Sequence, residues 1–210
     1  MSKAVKLSIR PKWCEKIVSG EKTIEVRKTR PKLDPPFKCY IYFTLQGCNE
    51  FFRVDLGRDI AKWNRGKWAD RKGKAIGEFI CDRIDWITHV GYTGIPGLVE
   101  TCICDAATMR TSPVGGLLNA ACLTSKMLND YLACGDGYGW HITDLRIYDA
   151  PRELGEFWRD CPEYSELSTN CWTCENVCGD GDETDCNTDG RRYLRRAPQS
   201  WCYAEVMEDV

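Results

Sequence analysis

Val5, Leu7 and Ile9 alternate with Lys6, Ser8 and Arg10, and this period of two predicts a half-buried strand at the start of the chain. Pro11 is placed to open a helix that runs to about Ser19, and Gly20 supplies the left-handed residue that closes it. Thr23, Ile24 and Val26 then resume strand character, while Lys22, Glu25, Arg27 and Lys28 gather polar groups at the start of that strand. A strand rich in Tyr and Phe is expected over residues 37–44, behind the breaker Pro35-Pro36. Residues 47–74 carry much charge and little pattern, with a short helix expected over 58–64. Residues 75–87 read as one curved or bulged strand, since Ile76, Phe79 and Ile80 mix with Glu78 and Asp82. Residues 91–116 hold five glycines and two prolines and read as a loop or insertion with a short strand at 101–104.

Thr124 or Ser125 is a cap for a helix reaching about Cys134, with Met127, Leu128, Tyr131 and Leu132 as its apolar face and Gly135 as its end. A strand over 138–148, one or two helical turns over 151–158 and a final strand over 200–206 complete the pattern. Strands interrupted by short helices and irregular loops, without a regular strand-helix alternation, predict an α+β fold with a closed or nearly closed sheet.

Composition narrows this to one domain spanning residues 1–210. A chain of 210 residues that is 43% hydrophobic and 29% charged can bury a good core. No apolar run approaches the roughly 20 residues that cross a bilayer, and the first residues lack a secretory pattern, so a cytoplasmic protein without a membrane partner is expected. The net charge of −2 hides a division: residues 1–160 hold 25 Lys/Arg against 20 Asp/Glu, and residues 161–190 hold none against 8. The first 40 residues carry 11 basic and 4 acidic side chains, which favours an anionic partner near the first helix and second strand.

Ser8-Ile9-Arg10-Pro11-Lys12, followed by Gly20-Glu21-Lys22-Thr23-Ile24-Glu25-Val26-Arg27, resembles the opening of ASCH domains, members of the PUA-like superfamily. Tyr138-Gly139-Trp140-His141-Ile142 and Pro198-Gln199-Ser200-Trp201-Cys202-Tyr203 are similar to later segments of bacterial and phage-associated ASCH proteins. The resemblance implies a PUA-like mixed β-barrel with short peripheral helices and a cleft. It also implies binding of RNA or a nucleotide, including one with a modified base. The strand after the first helix and the strand carrying Trp140-His141 would border that cleft, so Lys22, Glu25, Arg27 and His141 would face one site.

The residue types suit a nucleotide. Lys12, Lys22, Arg27 and Lys28 can meet phosphate, Glu25 can accept hydrogen bonds from exocyclic amines, and Trp13 or Trp140 can stack on a base. Gln199 and Ser200 could donate at the rim. Two readings compete with binding. Amidohydrolases of the superfamily that act on N4-acetylcytidine carry a lysine and a threonine three residues later. Here Lys22 matches the lysine but Glu25 occupies the threonine position, so a catalytic role would fall to Glu25 as a base acting through water with Lys22 stabilising negative charge. The other reading is a phage-encoded protein-binding inhibitor of a host system.

Cys161, Cys171, Cys174, Cys178 and Cys186 stand apart from nine scattered cysteines that read as buried thiols. Cys171-x-x-Cys174-x-x-x-Cys178 has the spacing of a metal knuckle. Zinc held by Cys171, Cys174, Cys178 and Cys186, with Cys161 as the alternative fourth ligand, would supply folding energy to an acidic insert over residues 161–190. Disulfides and a disordered acidic loop are the alternatives. The insert's charge would repel nucleic acid, so it is expected to face away from the basic surface or to contact a protein partner.

Overall fold

The computed structural model describes residues 3–44, 69–91, 99–104, 110–133, 135–160 and 191–206. The chain opens with β1 (Ala4–Ile9), α1 (Pro11–Val18), β2 (Ile24–Arg27) and β3 (Phe37–Phe43). A 3-10 turn (Ala69–Arg71) leads into β4 (Ala75–Cys81), β5 (Ile84–Gly91), β6 (Val99–Cys104) and β7 (Thr111–Pro113). Two short helices follow, α2 (Gly115–Ala121) and α3 (Ser125–Leu132), and then β8 (Gly137–His141) and β9 (Thr143–Arg152). A second 3-10 turn (Leu154–Glu156) precedes β10 (Phe157–Asp160), β11 (Arg191–Tyr193) and β12 (Trp201–Val206).

These strands form two sheets, one of seven strands in the order β11-β10-β12-β1-β3-β4-β9 and one of five in the order β2-β8-β5-β6-β7. β1 and β3 run parallel and the other pairs are antiparallel. The fold is α+β as expected, but the expected barrel is two sheets rather than one closed surface. The predicted strand over 75–87 divides at Asp82-Arg83 and the predicted strand over 138–148 divides at Ile142, each half joining a different sheet. The expected bulging of β4 is present as register shifts against β3 and β9. Residues 91–116, read as loop with one short strand, also contain β7, and β6 pairs with β5 along its length. The helix expected over 58–64 lies outside the described residues.

The main core lies where the two sheets meet α1. Val5, Leu7 and Ile9 of β1, Cys14 and Ile17 of α1, Cys39 and Ile41 of β3, and Ile76 and Phe79 of β4 pack together with Trp140 of β8. Trp140 is fully enclosed, edge-on to Phe37 at 5.8 Å and tilted against Trp201 at 6.1 Å. A second cluster sets Ile24 and Val26 of β2 and Ile87 of β5 against Leu117, Ala121, Leu128 and Leu132 of α2 and α3. A third, on the other face of the seven-stranded sheet, contains Ala4, Tyr40, Phe157 and Leu194. Cys14, Cys39, Cys81, Cys102 and Cys104 are buried free thiols, as expected for scattered cysteines, whereas Cys122 and Cys202 are only half-buried, and Cys48 and Cys134 lie outside the described residues.

The third cluster explains why β1 is not half-buried. β12 and β3 flank it and packed side chains cover both faces, so Lys6 and Ser8 are buried with their apolar neighbours. The Lys6 ammonium has no hydrogen-bond acceptor among the described residues and sits between the rings of Tyr42 (4.5 Å) and Phe157 (4.4 Å). Burial pulls its pKa down to about 8 from 10.5, opposed weakly by Cys202 across the ladder. A lysine whose pKa is lower in the folded state binds fewer protons folded than unfolded, so stability rises with pH between about 8 and 10.5. Lys6→Met, of similar length, is expected to stabilise the protein by about 1–3 kcal/mol at pH 7, because it replaces an unpaired buried cation with apolar volume. The gain should shrink as pH rises through the 8 to 10.5 window, as urea denaturation at stepped pH will show.

Candidate functional site

α1 begins at Pro11 because a proline at the first helical position loses no hydrogen bond, and Gly20 at φ +76 turns the chain out of the helix. This turn places Lys22 before β2 rather than on it. The Lys22 backbone N–H bonds to the Lys16 carbonyl, and its side chain folds under the strand. The ammonium donates to the carbonyls of Ile24 and Ala121, each at 2.8 Å, and lies 3.3 Å from Glu25 Oε2. Ala121 ends α2, so the cation also meets the negative end of that helix.

β2 then alternates. Ile24 and Val26 enter the cluster beneath α2 and α3, and Glu25 and Arg27 face the other way. Arg27 Nη2 lies 3.0 Å from Glu25 Oε1 and donates to the Ser8 carbonyl at 2.8 Å. Arg27 Nη1 donates to Ser200, at 3.3 Å to both its carbonyl and its hydroxyl oxygen. Lys22, Glu25 and Arg27 therefore form one ion triad, each member less than a tenth exposed.

The triad forms one wall of a cavity of about 490 Å³, lined also by Arg10 and Trp13, Leu123, Met127 and Tyr131 beside α3, and Gln199 before β12. Trp13 lies between two ammonium groups, Lys12 at 4.8 Å and Lys22 at 5.1 Å from its ring. On the opposite wall Tyr131 is 40% exposed and Met127 36%, and the Lys28 ammonium stands 5.4 Å from the Tyr131 ring.

Six of the residues singled out from sequence thus share the cavity: Trp13, Lys22, Glu25, Arg27, Gln199 and Ser200. Lys12 and Lys28 stand beside two of its aromatic walls. Trp140 and His141 are not brought to it. Trp140 pairs with Glu25 across the β2–β8 ladder but is sealed in the main core. His141, one residue further on, points to the opposite face of β8. There its Nε2 lies 2.8 Å from Asp85 Oδ2 and 2.9 Å from Arg83 Nη2. Burial opposes ionisation of Asp85, but His141 and Arg83 together hold its carboxyl below the usual range.

Met127 and Tyr131 were expected in the core with Leu128 and Leu132. The helix rests on one side only, so the i, i+4 pair Leu128 and Leu132 is buried and the adjacent pair is turned to the cavity. Arg10, also a lining residue, lies within the Ser8-to-Lys12 motif but is not among the residues that the sequence assigns to the site, and Asp130 carries no distinguishing signal in the sequence. Among the described residues no cluster of three or more His, Cys, Asp or Glu could hold a metal ion. Cys161, Cys171, Cys174, Cys178 and Cys186 lie outside the described residues.

Replacing Glu25 with Gln leaves two enclosed cations without their counterion. Glu25→Gln should cost about 3 kcal/mol of stability, and Lys22→Met combined with Glu25→Gln should recover part of it, because one cation leaves with the anion. Urea denaturation of the four proteins of that cycle gives the coupling directly.

Among solved structures the chain is similar to an ASCH protein from Zymomonas mobilis, at 17% identity and a TM-score of 0.42, covering 72% of this chain and 74% of that one. Two point-mutant forms of the same Zymomonas mobilis protein match at 16% and 18% identity, with TM-scores of 0.41 and 0.42, 72% of this chain covered in each case and 76% and 75% of theirs. No curated protein matches the chain. The family model of the ASCH domain matches residues 7–78, the segment that contains the second half of β1, α1, the ion triad and β3. Over that segment, about a third of its length, the chain is similar to ASCH domains.

Proposed function

We propose that the protein binds RNA by holding one nucleotide, plain or modified, with its base in the cavity above Glu25. The observation that carries this reading is a carboxylate only 6% exposed, fixed between Lys22 and Arg27 in the wall of a cavity that also presents the rings of Trp13 and Tyr131, with Arg10, Asp130 and Gln199 among its other polar groups. The cations fix the orientation of Glu25, whose oxygens retain acceptor capacity for the N–H groups of a base edge. Trp13 and Tyr131 offer ring surfaces for stacking, and Arg10, Lys12 and Lys28 supply positive charge for phosphate. At about 490 Å³ the space falls within the roughly 300–1,000 Å³ of small-ligand sites.

Hydrolysis has less support. The Lys22 ammonium is committed to two carbonyls and Glu25, and Thr23 is exposed and outside the cavity lining. The Ser8 hydroxyl donates to the Pro198 carbonyl, and the Ser200 hydroxyl oxygen accepts from Arg27, so in these bonds neither meets a base.

The test is fluorescence anisotropy with short labelled oligoribonucleotides at stepped salt, beside matched assays for product release. Tyr131→Ala removes an exposed ring and should leave stability unchanged while weakening RNA binding by about 1–3 kcal/mol. Equal affinity of the variant and the parent protein, or turnover of the bound nucleotide, overturns the reading.

For residues 161–190 we propose a structural zinc ion held by Cys171, Cys174 and Cys178 with Cys186 or Cys161. The support is the donor set: soft thiolates at knuckle spacing are suited to tetrahedral zinc. Elemental analysis should find about one zinc per chain, lost in Cys171→Ser/Cys174→Ser, and chelation should release the metal without altering the urea midpoint of the two-sheet fold.

A further inference from the structure

A second cavity, of about 920 Å³, lies on the five-stranded sheet and contains none of the residues of the first. Among the described residues its lining includes Arg30 beyond β2, Arg83 before β5 and Arg110 before β7, with one carboxylate, that of Asp85. Arg83 lies 3.2 Å from Asp85, and among the described residues the lining carries three arginines to one carboxylate. Trp86 and Tyr138 form part of its wall, with Thr111 and Ser112 adding hydroxyls. The Trp86 Nε1 is enclosed and meets no acceptor among the described residues, so the ring offers the cavity its carbon surface rather than a hydrogen bond.

The ladder register links the two cavities. Arg27 pairs with Tyr138, Tyr138 with Trp86, Trp86 with Cys104, and Cys104 with Thr111. Residues directly opposite on neighbouring strands share a face, so this row carries one surface across all five strands from the ion triad to the second cavity. Guanidinium groups at the margin and aromatic rings in the wall are the combination that single-stranded nucleic acid uses, charge tracking the backbone and rings stacking on bases.

We propose that the second cavity is the track for the nucleotides flanking the one held above Glu25. It binds single-stranded RNA through phosphate contacts to Arg30 and Arg110 and through base stacking on Trp86 and Tyr138. The inference rests on the RNA reading but makes separate demands on separate residues. The probes are uridine monophosphate and a labelled six-nucleotide oligouridylate, titrated into the full chain and into Arg30→Gln/Arg110→Gln.

The paired substitution should leave the monophosphate affinity unchanged and weaken the hexamer at least tenfold. It should also lower the slope of log affinity against log salt by about 1.4, or roughly 0.7 for each phosphate no longer neutralised. Hexamer, but not monophosphate, should shift the Trp86 indole resonance of the parent protein, a readout that needs no variant to fold. An unshifted Trp86 resonance, an unchanged salt slope, or equal weakening of both probes overturns the proposal. The two readings fail separately. If the monophosphate does not bind and Glu25→Gln leaves the hexamer affinity intact, the first cavity is misassigned, and the second stands if the arginine pair still matters. If the hexamer ignores the arginine pair but depends on Tyr131, the first reading stands alone.

Discussion

The contact on which the rest depends is the pair of ion bridges from Glu25 to Lys22 and Arg27. Charge taken out of water must be compensated where it sits, and the compensation here draws on four parts of the chain. Lys22 reaches the end of α2, Arg27 reaches the end of β1 and the residue before β12, and Glu25 joins the two cations. The triad therefore fixes how the five-stranded sheet meets the seven-stranded one at the cleft. Buried ion pairs add little to stability compared with apolar packing, so their retention here is better understood as positioning than as strength.

β8 shows how one strand serves two environments. Trp140 fills the junction of the sheets, and the next residue, His141, faces Asp85 and Arg83 on the other side. The pleat separates side chains that are adjacent in sequence, so the proximity of Trp140 and His141 along the chain says nothing about a shared site. Gly139, just before Trp140, admits the Leu117 side chain, since a Cβ there would come within 2.8 Å of Leu117 Cδ1. That close approach seats α2 on the sheet and with it the Ala121 carbonyl that Lys22 needs.

The opening of the fold was legible because its signals are local: alternation in β1, a proline and a glycine bounding α1, and polar residues grouped in and before β2. Lys22 joins the site because it precedes the strand, as alternation requires. What was not legible depends on partners distant in sequence. Lys6 and Ser8 read as solvent-facing, since nothing near them reports that Phe157 and Leu194 cover that face. The breaks at Asp82-Arg83 and Ile142 lack glycine or proline and divide runs that are continuously strand-like, so only the pairing with different sheets reveals them. Met127 and Tyr131 have the spacing of core residues, and only the single-sided packing of α3 turns them to the cleft.

Asp160 and Arg191 are opposite one another in the β10–β11 ladder. The thirty residues between them leave and re-enter at points separated by one inter-strand step, about 5 Å. A chain excursion of that kind imposes almost no geometric demand on its host, because closing its ends costs nearly the same whatever its length. The β10–β11 ladder thus works as an attachment point, where one acidic, cysteine-bearing segment could be exchanged for another, or for a plain turn, without changing the register of β10 against β12. What that segment does and what the cleft does could in this way change independently.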